Sequence, residues 1–498
     1  MNLSNEIIFS SSDPNLSRKL TQAESDGRLR KLAPRIYTTN MLDSPQNIVR
    51  RNFFEILAWR FPDAVISHRS AIELRPTDEG HFFMTSSYNR RITDLPGVTI
   101  NIYKGNPALE SDTAFNGLYI ASEYRYMLEN LQPSRKSKEG TEKNLPQALI
   151  EERLERMILL GEEKRINEFR DKAREIAKEL GMTKEFEKLS IIISALLNTH
   201  SADALQSETA KARAEGNPYD KKRTELFEIL FENLKDRFFT ERRDRNSNEA
   251  SFRMFSFFES YFSNYIEGTR FEVKIAKQII DTGVTIPKRV EDSHDILGTF
   301  AVLSNRHEMM KSPQTPDELI VLLKHRHRVM MSGRPDLHPG IFKQVNNQAG
   351  NTHFVDHQLV EGTLQYGFRY FQLLKEPLAK AIYMMFLISE VHPFLDGNGR
   401  IARIMMNAEL VKGEQSRIII PTVFREDYLL ALRKLSRKKD PGTYIRIMEK
   451  LHHFSDNLYG QDFDELNNYL RSANAYEEPE EGKLKWIDRS FSSNDTSL

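Results

Sequence analysis

From Leu145 to about Phe239 apolar residues recur three and four apart, as at Leu149, Leu154, Ile158 and Leu159, against a strongly charged face. That period predicts amphipathic helices. A polar break at Arg242–Asn248 interrupts it, and helical spacing resumes at Glu249 and runs to about Leu458. The first 133 residues are mixed. Ser12-Asp13-Pro14 reads as a capping side chain followed by proline at the first helical position, so a helix is expected over Leu16–Ser25. Asp26-Gly27 turns the chain, and Leu29–Thr38 reads as two short extended segments. A helix over Gln46–Phe61 and strands at Ala64–Ser67 and Thr99–Tyr103 complete this part.

The pattern divides the chain into an N-terminal α/β domain over 1–133, a helical connecting region over 145–239 and a helical domain over 249–458. The fold class is mainly α. Residues 134–148, with Ser134-Arg135-Lys136-Ser137-Lys138, form a polar linker. The tail over 473–498 carries Glu-Glu-Pro-Glu-Glu-Gly and is expected to be disordered. No repeat at solenoid periods is present.

Composition narrows the classes. The 498 residues exceed one ordinary core, since domains average about 100–150 residues. Apolar residues make up 39% and charged residues 29%, the balance of a globular chain. Lys plus Arg equals Asp plus Glu, 71 each, so any surface for nucleic acid or anionic lipid must be local. With no cysteine, disulfides, thiolate zinc sites and cysteine nucleophiles are excluded. The N-terminus does not read as a signal peptide, and the longest apolar stretches, near Ile382–Ile388 and Leu189–Leu197, fall short of the roughly 18–20 residues a membrane span needs. The expected location is cytoplasmic, with no membrane partner.

The chemistry concentrates in His392-Pro393-Phe394-Leu395-Asp396-Gly397-Asn398-Gly399-Arg400-Ile401-Ala402-Arg403. An apolar helix, Ala379–Val391, runs into this loop and a second, Ile401–Leu410, runs out of it. Glycines let backbone N–H groups turn toward an anion, and the helix that follows presents its positive end to the same spot. Arg400 and Arg403 share a helix face and suit a polyphosphate. Asp396 is a hard oxygen ligand for magnesium. His392 is the group that can be a neutral base near pH 7. Asp-Gly-Asn-Gly alone is a turn or half of a calcium loop, but the oxygen ligands that should follow are arginines. Together these residues point to phosphoryl or nucleotidyl transfer.

The segment resembles the signature of the Fic family, His-x-Phe-x-Asp/Glu-Gly-Asn-Gly-Arg-x-x-Arg, at every fixed position. Asn407, Ile418–Pro421, Arg425 and Tyr428 resemble its downstream segment. The resemblance covers roughly Glu249–Leu458. It implies a helical bundle with a small β-hairpin flap, for which Pro339–Val355 is the candidate, strand-like at Gly340–Val345 and turn-rich at Asn346–Asn351. It implies a protein adenylyltransferase using ATP and magnesium on a protein substrate bearing a Ser, Thr or Tyr hydroxyl. His392 would be the base and Asp396 the metal ligand. Gly397, Asn398 and Gly399 would cradle phosphates, Arg400 would bind phosphate, and Arg403 would hold the γ-phosphate. Asn407 would belong to the nucleotide site. Glycine at 399, where phosphate-transferring Doc toxins carry lysine, favours AMP transfer.

Upstream, Ser263 and Glu267 lie four apart on a helix striped by Phe255, Phe258, Phe262 and Ile266, with Gly268 next. Most such tetrads are structural. Ahead of a Fic core this one resembles the family's inhibitory motif, which implies that Glu267 pairs with Arg403 and denies it to the γ-phosphate.

Residues 14–35 hold six basic side chains, Arg18, Lys19, Arg28, Arg30, Lys31 and Arg35, against Glu24 and Asp26. They read as a solvated basic face, or as a winged helix-turn-helix with its wing at Leu29–Thr38. Arg28–Tyr37 with Ile66–Ala71 resembles the N-terminal half of abortive-infection antitoxins, which implies DNA as a partner. Three functions therefore stay open: a self-inhibited AMP transferase, an AMP-removing hydrolase using the same site, and a DNA-binding regulator carrying a Fic domain. The oligomeric state, a homodimer included, is also open.

Overall fold

The computed structural model describes residues 5–10, 13–134 and 141–489. They form two compact units, Met1–Gly216 and Asn217–Leu498.

The first unit is α/β. Strand β1 (Ile7–Phe9) and helix α1 (Pro14–Ser25) precede the hairpin β2 (Arg30–Ala33) and β3 (Ile36–Thr38). Asp13 caps α1 by accepting from the Asn15 N–H, with Pro14 in the first turn. β1 pairs antiparallel with β3 on the side away from β2. Helices α2 (Pro45–Arg51) and α3 (Phe53–Arg60) replace the single helix expected over 46–61. Strand β4 (Val65–Ile66) and helix α4 (His68–Glu73) are followed by β5 (His81–Ser86), β6 (Arg90–Leu95), β7 (Val98–Lys104), β8 (Thr113–Phe115) and β9 (Leu118–Ile120). These build a six-stranded mixed sheet in the order β6-β7-β5-β4-β9-β8. Helices α5 (Glu123–Asn130), α6 (Gln147–Leu180), α7 (Thr183–Leu196) and α8 (Glu208–Ala214) close the unit.

The hairpin lies where a wing was expected. Among the described residues a single helix, α1, precedes the hairpin, and α2 and α3 come after it. Half of the basic cluster is engaged within the unit. Arg28 pairs with Asp26 at 2.7 Å, Arg30 donates to the carbonyls of Asn40 and Asp43, and Arg35 donates to the Ser10 carbonyl at 3.2 Å. Ser12 and residues 135–140 of the expected linker lie outside the described residues.

The second unit is helical. It starts with α9 (Lys221–Leu234), then α10 (Glu249–Ile266), α11 (Val273–Thr282), α12 (Val290–Leu303), α13 (Arg306–Met309) and α14 (Pro316–Met330). A two-residue hairpin, β10 (Gln348–Ala349) and β11 (Thr352–His353), leads to α15 (Val360–Leu373), α16 (Pro377–Val391) and α17 (Asn398–Lys412). The last helices are α18 (Arg425–Lys438), α19 (Gly442–Asp456) and α20 (Phe463–Ser472). The boundary at 216 divides the connecting region read over 145–239: α6 to α8 join the first unit, and α9 belongs to the second.

α16 and α17 form the centre. α16 buries apolar residues all round, including Ile382, Met384, Met385, Phe386 and Leu387, which is how a central helix differs from a surface one. α9 reaches it through Phe227, edge-on to Phe386 at 6.1 Å between centroids. Among the described residues no helix is long and apolar enough to cross a membrane.

The segment 473–489 is not disordered. Ala473 and Ala475 are buried, Tyr476 stacks on Phe262 at 5.3 Å, and Trp486 packs edge-on to Phe424 and Phe454. The acidic run disguised it, because Glu478 is spent accepting from the Tyr265 hydroxyl at 2.8 Å and pairing with Arg270. Residues 490–498 lie outside the described residues.

Candidate functional site

α16 ends at His392, which takes a left-handed φ of 55° while its N–H still donates to Ile388 at 2.9 Å. A positive φ on a non-glycine residue is costly and marks a spot the surroundings hold in place. The loop then closes on itself. Asn398 accepts from the Phe394 N–H at 2.8 Å and donates back to the Phe394 carbonyl at 2.8 Å. Its side chain is therefore structural, and what it offers an anion is its backbone N–H. The first N–H groups of α17 have no carbonyl one turn back, which leaves them available to an anion.

Both glycines lie close to neighbouring side chains, and Gly397 also takes a backbone conformation that other residues rarely adopt. A Cβ on Gly397, which has φ 75°, would sit 2.9 Å from Met330 Cε. A Cβ on Gly399 would sit 2.1 Å from Glu267 Oε1.

Glu267 pairs with Arg403, as the resemblance implied, and Ser263 holds the same guanidinium. Arg403 donates from Nε to Ser263 Oγ at 2.9 Å and from Nη2 to the Ser263 carbonyl at 2.9 Å and Glu267 Oε1 at 2.7 Å. Gly268 follows with φ 101° and turns the chain out of α10. Arg400 leans the other way, onto Asp295 of α12 at 2.9 Å, with Asp396 at 3.6 Å. The Asp396 side chain is 52% exposed, free to meet a ligand from solvent.

His392, Glu267, Gly399, Arg403 and Tyr428 line one cavity of about 620 Å³, together with hairpin residues 349–352. His392 Nδ1 faces the Ser389 carbonyl at 3.4 Å, which leaves Nε2 as the basic edge. Burial lowers its pKa to about 4, with Lys343 pushing the same way. The ring is a neutral acceptor at physiological pH.

Asn407 is not in this site. Its amide donates to Glu259 at 2.7 Å and the Ile418 carbonyl at 2.8 Å, and accepts from the Ile418 N–H at 2.7 Å. It lies nine residues beyond Asn398, about 14 Å along α17 at 1.5 Å per residue, so its full set of bonds serves the core.

Residues 320–410 match the Fic/DOC family. The protein adenylyltransferase fic-1 of Caenorhabditis elegans is 23% identical over 230 residues, 45% of this chain and 45% of its own length. The protein adenylyltransferase Fic of Nematostella vectensis is 26% identical over 240 residues, 46% of this chain and 52% of its own. The alignments thus span about half the length of these curated relatives. Among solved structures, Fic-1 from C. elegans superposes with a TM-score of 0.36 at 16% identity, covering 66% of this chain and 98% of that one.

Several residues around the site were not legible beforehand. His327 donates from Nε2 to the Asp396 carbonyl at 3.0 Å, accepts the Gly340 N–H at Nδ1 at 2.9 Å, and stacks on Phe394 at 3.6 Å. Lys343 donates its backbone N–H to the Pro393 carbonyl at 2.9 Å and its ammonium to Asn347 at 2.7 Å. That use of the backbone is why Gly340–Val345 is not the strand expected there; the hairpin begins later, at Gln348. Asp295 holds Arg400, as noted above. Phe354 lies flat on His392, with ring centroids 3.6 Å apart and planes 5° apart. None of these positions carries a local spacing signal.

Proposed function

We propose that this chain transfers AMP from ATP to a hydroxyl side chain of a target protein, and that Glu267 holds it in a low-activity state. The reading rests on one observation above the others: His392 and Arg403 face the same cavity across Gly399, and Glu267 occupies Arg403 there. The adenylyltransferase names of the relatives support it.

His392 Nε2 takes the proton of the incoming hydroxyl. The hydroxyl oxygen bonds to the α-phosphorus, the bond from that phosphorus to the bridging oxygen breaks, and pyrophosphate leaves. The N–H groups at the start of α17 and its positive end take phosphate oxygens. Arg400 adds charge beside them, and Arg403 grips the γ-phosphate once Glu267 lets go. One guanidinium cannot serve a carboxylate and a phosphate in the same geometry.

Asp396 fits a magnesium ion. Among the described residues no group of three or more His, Asp or Glu could hold a metal by itself. Magnesium needs no such group, because it takes one or two carboxylates and completes its shell with phosphate and water. When bound, it neutralises phosphate charge.

A second reading, removal of AMP from a modified protein, draws on the Glu267 carboxylate: it is 35% exposed and borders the same cavity as His392. Incubation with α-labelled ATP, magnesium and a cell lysate separates the two. Transfer predicts protein labelling that strengthens in Glu267→Gly and vanishes in His392→Ala or with a chelator. Loss of label from a pre-modified protein, with none gained from ATP, would favour removal.

A further inference from the structure

Arg223 belongs to α9, far outside the matched segment 320–410. Its guanidinium forms an ion pair with Glu390 and donates to the carbonyl of His353. Both partners are one step from the site. The His353 carbonyl lies in the peptide bond that leads into Phe354. Glu390 is two residues before His392 in the last turn of α16. One guanidinium therefore ties together the two backbone segments whose rings are stacked. Glu390 is 5% exposed, and its other oxygen accepts from Ser436 at 2.6 Å, so the anchor is fixed on the α18 side as well. Arg437 of α18 donates to Thr352 Oγ1 at 2.8 Å and steadies the same hairpin.

We propose that Phe354 and Arg223 are positioning residues for His392: Phe354 fixes the plane of the imidazole by stacking on it, and Arg223 fixes Phe354 by clamping the hairpin to the end of α16. The local geometry asks for such a device. His392 has already left the helix at φ 55°, and its Nδ1 contact to Ser389 is long at 3.4 Å. A hydrogen bond of that length orients a ring poorly, so the stack supplies the orientation that the hydrogen bond does not. A base whose Nε2 must meet a hydroxyl within hydrogen-bond reach loses rate steeply when displaced. The role of α9 in the Fic unit follows: it carries the clamp.

The inference rests on the AMP-transfer reading, and the experiment is built to tell their failures apart. The parent is the full chain carrying Glu267→Gly, assayed with α-labelled ATP, magnesium and a cell lysate at saturating and sub-saturating ATP. If the parent itself gives no labelling, the AMP-transfer reading falls. If it labels, Phe354→Leu in that parent is expected to lower the rate at saturating ATP by about ten- to a hundredfold. The ATP concentration for half-maximal rate should change by less than about threefold, because His392 acts on the hydroxyl and not on the phosphates. An aromatic ring should rescue: Phe354→Tyr or Phe354→His should recover most of the rate, although leucine conserves apolar bulk as well as either. Arg223→Gln should slow the parent in the same way and add little when combined with Phe354→Leu, since it acts through that ring. Undiminished labelling by Phe354→Leu overturns the inference, as does failure of both aromatic variants to recover. Additive losses in the Arg223→Gln, Phe354→Leu pair overturn the part assigned to Arg223. Melting temperatures recorded on every variant separate lost rate from lost fold.

Discussion

Arg403 Nη2 donates to Glu267 Oε1 at 2.7 Å across 136 residues of sequence, and the same guanidinium is held from behind by both the side chain and the carbonyl of Ser263. The arginine is buried, while the carboxylate is about one-third exposed. The cation is thus fixed by the fold and the anion is the part that can move.

Glu267→Gly should therefore raise labelling without disturbing Arg403, which keeps both contacts to Ser263. A charge-assisted contact is worth roughly 1.5–3 kcal/mol, so an increase on the order of ten- to a hundredfold is expected at saturating ATP and magnesium. Adding Arg403→Ala should return the rate to that of the unmutated chain or below. A double variant as fast as the single one would place the action of the glutamate elsewhere.

His392→Ala should abolish transfer in the Glu267→Gly background and leave the affinity for ATP nearly unchanged, measured by calorimetry. The pH profile carries a sign. Burial holds the imidazole down to about 4, and the neutral form is the base, so activity is lost as pH falls through that value. The ratio kcat/KM, which reports the free enzyme, should stay flat from about pH 8 to about pH 5.5. A half-loss near the ordinary histidine value of about 6.5 would contradict the buried geometry.

Asn407→Ala should cost stability and not nucleotide. Its three bonds to Glu259 and Ile418 are fully buried, and stranding such partners costs about 1–3 kcal/mol. Urea unfolding should show the loss, while the ATP affinity of the folded fraction stays as before. A large drop in ATP affinity at unchanged stability would return Asn407 to the nucleotide site.

Asp295→Ala should be the more damaging of the two. Arg400 is 3% exposed and would keep only the half-exposed Asp396, at 3.6 Å, as a counter-ion. Removing one partner of a buried pair costs about 3–5 kcal/mol. Unfolding at about the wild-type urea midpoint would mean that Arg400 finds other company.

The loop could be read from sequence because its chemistry is contiguous: His392, Asp396, the two glycines and both arginines lie within twelve residues. Ser263 and Glu267 share a helix face, a common spacing, and only their resemblance to an inhibitory motif ahead of the loop singled them out. What escaped is set by contacts that cross the chain. Arg223, Phe354 and His392 come from three separate segments, and Gly340–Val345 carries the strand-forming Ile341, Phe342 and Val345 while its Lys343 N–H donates to the Pro393 carbonyl. The tail over 473–489 has the composition of a solvated end, but Tyr476 and Trp486 each find an aromatic partner. The first unit misled differently. A helix, a turn and a hairpin are all present over 14–38, yet the same short pieces fit several small α/β arrangements, and a cluster of positive charge names none of them.

Glycine at 399 was singled out from sequence as the residue that separates AMP donors from phosphate donors, and Glu267 as a brake. The structure brings the two positions into contact. Glu267 Oε1 rests in the hollow that any Cβ at 399 would fill, 2.1 Å from its ideal position. A Cβ there would force this carboxylate to shift, so the contact of Glu267 with Arg403 depends on position 399 as well.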